Sequence, residues 1–192
     1  MEKIEIETFC PASRQDWRRW LQENHQSKTS VWLVYYKKKS NKSIINWSQA
    51  VDEALCFGWI DSTARPLDEE KYLQFFCKRK PKSNWSKINK TKVAQLIKAD
   101  LMMPAGYESI EIAKQNGSWE LLDEVEELKV PKDLEESFEA MPGSKDFFLS
   151  LSKSTRKSML QWIVLAKRTE TRQKRMNIIV ECAAKNVKPE QF

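Results

Sequence analysis

The spacing of apolar residues changes several times along the chain, and each change marks an element. SRQDWRRWLQEN places Trp17, Trp20 and Leu21 on one helical face behind Ser13 and Asp16 at capping-box spacing, and Asn24 ends the run. This predicts a helix over about 14–23, with His25 as a C-terminal capping group. VWLVYYKKK is β-branched and aromatic, then abruptly charged, as a strand leaving a core for solvent reads. In WSQAVDEALCFG, Ser48 is the expected N-cap, Val51, Ala54 and Leu55 share a face, and Gly58 sits where a left-handed C′ residue is wanted. A strand over 59–66 then follows the Gly58 turn at once. KYLQFFCKRK alternates Tyr72, Gln74, Phe76 and Lys78 with Leu73, Phe75, Cys77 and Arg79, so 71–79 is expected to pair antiparallel with 59–66.

From Ser86 onward the period is helical. SKINKTKVAQLIKAD sets Val93, Leu96, Ile97 and Leu101 on one stripe, and Pro104 opens another helix that Gly117 closes. Short helices are expected at about 119–128 and 133–140, stopped by MPGS. Three further apolar sets follow: Phe147, Phe148 and Leu151; Met159, Trp162, Ile163 and Ala166; and Met176, Ile179, Val180 and Ala183, with Thr169 as a cap. The pattern predicts an α+β fold: a small antiparallel sheet with helices over 1–100, and an all-helical part over 101–192 packed on it. No repeat or low-complexity tract interrupts it.

Composition narrows the chemistry. The 192 residues can bury a core without staples. Cys10, Cys56, Cys77 and Cys182 form no C-x-x-C pair, and His25 is the single histidine, so no metal site and no cofactor are expected. Scattered thiols, no signal-peptide h-region and no apolar run near the ~20 residues of a membrane span predict a cytoplasmic protein. The net charge of +6 is uneven: 78–92 carries seven Lys/Arg and no acid, 119–139 carries nine acids against two lysines, and 153–175 is basic again. Such blocks either steer an anionic ligand to one face or pair with each other within the chain.

The ordered set FCPASRQDWRRWLQENH, VWLVYYKKK, AVDEALCFGWIDS, KPKSNWSKINK, MMPAGYESIEIAKQNGSWE and AKRTETRQKRM resembles the YdeI/OmpD-associated family, the bacteriocin-protection proteins. The resemblance implies a YjbR/CyaY-like α+β fold for the N-terminal part and a family-specific helical segment for the C-terminal part. It also implies a role in resistance to bacteriocin or envelope stress, with no reaction and no cofactor assigned. Fold alone does not supply a function. The chain departs from its relatives in one place: where they often read Arg-Phe-Thr-Pro-Arg, it has Phe75, Phe76, Cys77, Lys78 and Arg79.

Three functional readings follow from the residues. Trp59, Asp61, Arg65, Phe76, Arg79, Ser83 and Trp85 could form a pocket for a small anionic or aromatic ligand or a protein partner, with Arg79 giving a forked contact and a Trp stacking. The same tryptophans could instead fill the core, with Asp61 capping a turn or pairing with Arg65. A second reading takes Lys78, Lys80, Lys82, Lys87 and Lys90 with Trp85 as a nucleic-acid-binding segment, in a chain of pI about 9.1. A third is an enzyme using Asp61 or Cys56. Asp61 has no partner base in the pattern, and Cys56 ends a helix where the dipole disfavours a thiolate, so a non-enzymatic accessory protein is the favoured expectation.

Overall fold

The computed structural model of the chain describes residues 7–37, 40 and 45–192. The lysines 38 and 39, with which the first predicted strand was to exit into solvent, lie outside the described residues. The chain divides into two compact units, the first ending at Trp119 and the second running from Glu120 to Phe192.

The first unit is built on four strands in the order β1-β2-β4-β3: β1 (Thr8–Phe9), β2 (Ser30–Tyr36), β3 (Trp59–Pro66) and β4 (Lys71–Lys78). The β2–β4 and β4–β3 pairs are antiparallel, as the alternating patterns demand. β1 adds a parallel pair with β2 that is too short for any alternation to reveal. On one face of the sheet lie α1 (Arg14–Asn24) and α2 (Trp47–Cys56). Trp17 stands edge-on to Phe76 with ring centres 5.4 Å apart, and Trp20 edge-on to Trp59 at 5.8 Å. All four rings are buried, and the Trp17 indole N–H is satisfied by the Ala50 carbonyl at 3.1 Å. Offset and edge contacts of this kind add about 1 kcal/mol each to the area they bury.

Local chemistry explains the ends of these helices. Ser13 accepts from the Asp16 N–H, as its spacing predicts. α2 starts two residues earlier than expected: Asn46, not Ser48, is the N-cap, in a full capping box with Gln49. Both side chains can cap, and the asparagine wins because Gln49 stands at the reciprocating position. Gly58 takes φ +69° after α2, the left-handed backbone that a Cβ would strain.

Two more helices complete the unit: α3 (Lys87–Lys98), capped by Ser86, and α4 (Pro104–Gln115). α4 comes unusually close to the end of α2. The Met103 N–H donates to the Cys56 carbonyl at 3.1 Å, and a Cβ on Gly106 would collide with that same carbonyl. The stabilising contact most at odds with the apolar surroundings is Glu53, 3% exposed on α2, which meets Arg14 at 2.5 Å and Arg18 at 2.7 Å.

The second unit comprises α5 (Asp123–Glu126), α6 (Lys132–Glu139), α7 (Ser144–Ser150), α8 (Lys153–Val164) and α9 (Thr169–Ala184). Leu134, Phe138, Phe148, Met159, Ile163, Met176 and Ile179 are buried together in its core. The helix expected over 119–128 is only the short α5, preceded by turns, and Arg168 rather than Thr169 occupies the N-cap of α9, with no side-chain bond. The acidic and basic blocks pair inside this unit: Glu126 with Lys157 at 2.6 Å and Asp133 with Arg172 at 2.6 Å. The Arg172 hydrogen bond holds the Asp133 carboxyl below its usual range.

The close α2–α4 approach makes a direct prediction. Gly106→Ala should lower the unfolding free energy by about 2 kcal/mol through overpacking against backbone. Gly117→Ala, with nothing within 4 Å of its would-be Cβ, should cost only the strain of its φ of +77°, about 1 kcal/mol. Urea denaturation followed by tryptophan fluorescence measures both, and equal losses would count against the steric account.

Candidate functional site

The antiparallel register sets Trp59, the first residue of β3, opposite Lys78, the last of β4. Arg79 therefore leaves the sheet beside the Gly58 turn, and its backbone N–H donates to the Gly58 carbonyl at 2.9 Å. The end of α1 arrives at the same place. His25 is its C-cap, as predicted, with both its N–H and its ring Nδ1 on the Leu21 carbonyl. The freed carbonyls of His25 and Gln26 accept from Trp59 Nε1 at 3.4 Å and Lys78 Nζ at 2.7 Å. α4 closes the third side, Ala105 and Ser109 lying against Gly58. Between these walls is a cavity of about 330 Å³, lined by His25, Gln26, Phe57, Gly58, Trp59, Lys78, Arg79, Lys80, Pro81, Ala105, Glu108, Ser109 and Ile112.

Its charge is mostly positive: Lys78, Arg79 and Lys80 are consecutive, and Glu108 is the one carboxylate among the lining residues. Arg79 is the unusual member. Its guanidinium lies 3.7 Å from the centre of the Trp85 ring, and Nη1 donates to the Asn84 carbonyl at 2.9 Å. Nε and Nη2 are buried and make no hydrogen bond. Burial pushes this group down to about 10, against the opposing field of Asp61, so at neutral pH it is still a cation.

The seven residues read from the sequence as one pocket are distributed over several environments. Trp59 and Arg79 line the cavity. Phe76 and Trp85 are core residues, 0% and 1% exposed. Ser83 sits in the turn after β4, its N–H on the Lys80 carbonyl. Asp61 is turned toward α2, where its Oδ2 accepts from Trp47 Nε1 at 2.8 Å and Gln74 Nε2 at 3.4 Å, so it neither caps a turn nor pairs with Arg65. Arg65 is on the other face of the sheet, 4.1 Å above the Trp32 ring. A β-bulge separates the two: from Asp61 to Ala64 the chain advances three residues while β4 advances two, from Phe76 to Gln74, which reverses the facing of everything beyond.

The basic segment loses its stacking platform, because Trp85 is buried beneath Arg79. Lys80, Lys82 and Lys87 are exposed, Lys78 is tied to the Gln26 carbonyl, and Lys90 reaches the Trp119 ring at 5.1 Å. Cys56 is 0% exposed, and burial pushes its thiol up to about 11. His25, Glu108 and Ser109 enter the site from elements that the strand patterns do not mention. The small pair Ala105-Gly106 in the PAGYESIE stretch was the available signal for a helix able to approach backbone closely.

Comparison with known families finds two separate stretches, and the boundary between the two packed units falls in the gap between them. A family described as "Domain of unknown function (DUF8412)" matches residues 9–109, and one described as "Bacteriocin-protection, YdeI or OmpD-Associated" matches 127–186. The first spans the sheet and nearly all of the cavity wall; the second lies within the helical unit, where the resemblance read from the sequence is borne out. No curated protein and no solved structure matches the chain.

The thiols provide a check on this geometry. With a folded value near 11 against an ordinary 9, Cys56 favours the protonated thiol in the fold, a stabilisation present below about pH 9 and lost as pH rises through 11. Iodoacetamide at pH 8 should therefore modify exposed Cys10 in the native protein and reach Cys56 only after denaturation, as read by peptide mass spectrometry. Native labelling of Cys56 at the rate of Cys10 would contradict the packing.

Proposed function

The chain belongs to the family described as a domain of unknown function (DUF8412) and carries a bacteriocin-protection, YdeI or OmpD-associated match in its second unit, and from that premise we propose that it is a cytoplasmic accessory protein of bacteriocin or envelope-stress resistance that acts by binding a small ligand in the cavity of its first unit. The observation that carries the binding reading is the cavity itself. Its walls are a capped helix end, two paired strand ends and a helix held against backbone, all fixed by hydrogen bonds within the fold. At about 330 Å³ it lies at the small end of the range of roughly 300–1,000 Å³ typical of ligand pockets. A non-enzymatic role is supported by the state of Cys56, whose thiol is buried and held protonated, and by the engagement of Asp61 with Trp47 and Gln74. The cytoplasmic assignment draws support from four thiols that are all free.

Filling the cavity tests the proposal. Ser109→Phe puts a ring into the cavity from a half-buried position on α4. The variant should keep its Tm within about 4 °C of the parent, roughly 1 kcal/mol for a chain of this size. Cells depending on it should nevertheless become as sensitive to bacteriocin as cells lacking the protein. Full protection by a folded, filled variant would remove the cavity from the function.

A further inference from the structure

We infer that the ligand of this cavity is a small oxyanion, carboxylate or phosphate, recognised by the Nε/Nη2 edge of Arg79; the inference rests on the binding role proposed above and gives it a ligand class. Nε and Nη2 are the two nitrogens on one side of a guanidinium, and their parallel N–H bonds match the two oxygens of a carboxylate or phosphate. In Arg79 this pair, and no other nitrogen of the group, is buried without a hydrogen bond. Nη1 is already used on Asn84, and the flat face is used on Trp85. The side chain is thus held at two points with its fork left over, on the wall of a cavity to which Lys78 and Lys80 add charge of the same sign. Both nitrogens are closed to solvent in this conformation, so an anion reaches them only when the guanidinium shifts over the Trp85 ring.

Leaving two buried donors of a half-buried cation unpaired costs stability, and replacing such a group by an apolar side chain of similar volume is commonly neutral or stabilising. A guanidinium kept only to cover Trp85 would be better served by methionine. Retaining it makes physical sense if an anion supplies the missing partner, and binding of that anion then stabilises the fold in proportion to its concentration.

The test is a thermal-unfolding series with inorganic phosphate, pyrophosphate and citrate, each matched in ionic strength with sodium chloride, on the parent protein, Arg79→Met, Arg79→Lys and Ser109→Phe. The parent should show a saturable rise in Tm with at least one oxyanion and none with chloride. Response to phosphate or pyrophosphate but not citrate assigns the phosphate class, and the reverse assigns the carboxylate class. Arg79→Met should have a Tm equal to or above the parent's without ligand and should lose the response. Arg79→Lys, which keeps the charge and loses the fork, should weaken apparent affinity about tenfold. An oxyanion response retained in Arg79→Met, or no response in the parent to any of the three, overturns the inference. If Ser109→Phe abolishes protection in cells while the parent ignores all three anions, the binding role stands and the oxyanion class falls. If Ser109→Phe protects fully, the binding role falls first.

Discussion

No side chain fits between the end of α2 and the start of α4, and the first unit is organised around that fact. The Cys56 carbonyl accepts from Met103 and leaves Gly106 no room for a Cβ, while a Cβ on Gly58 would stand 2.7 Å from the Ala105 carbonyl oxygen. Two glycines thus allow backbone to meet backbone where strand β3 begins. Because Gly58 also bonds the Arg79 N–H through its own carbonyl, the same contact fixes how β4 leaves the sheet. The cavity is the space that remains when three chain ends converge and one residue between them has no side chain. Its shape follows from backbone, so side chains on its wall can be spent on recognition.

Much of this was legible in the sequence because it is local. Helix α1, the Gly58 turn and the β3–β4 pair follow from capping residues, period and a short turn, and their observed limits lie within a residue or so of the expected ones. What was not legible depends on events with no periodic trace. The bulge after Asp61 adds one residue to β3, and a strict two-residue alternation then places Arg65 on the face it does not occupy. Trp85 reads as a free aromatic among lysines, yet its burial depends on Arg79 and Trp119, the latter in contact across a long stretch of sequence with ring centres 4.8 Å apart. Residues Glu108 and Ser109 belong to a helix whose approach is a tertiary fact. The separation of Asp61 from Arg65 and the arrival of α4 are why a site of seven predicted residues keeps only two at the cavity.

Two charges in the first unit, buried Glu53 and half-buried Arg79, show how an ion paired within the fold differs from one with unused donors. Glu53 is 3% exposed and receives Arg14 and Arg18; Arg18 also donates to the Leu101 carbonyl at 2.8 Å. Burial pulls Arg18 down, but its bonds to Glu53 and Cys56 and their charge attraction together outweigh this and leave the guanidinium above its ordinary range. The charges are mutually satisfied, and the group ties α1 to α2. Arg79 is burdened by the same desolvation and goes the other way, because Asp61 acts on it only at a distance and spends its own Oδ2 on Trp47 and Gln74. Both arginines stack on an aromatic ring, Arg18 on Phe57 and Arg79 on Trp85, so stacking does not separate them. The difference is a carboxylate. One arginine has it within the fold, and the other keeps a pair of parallel donors unbonded.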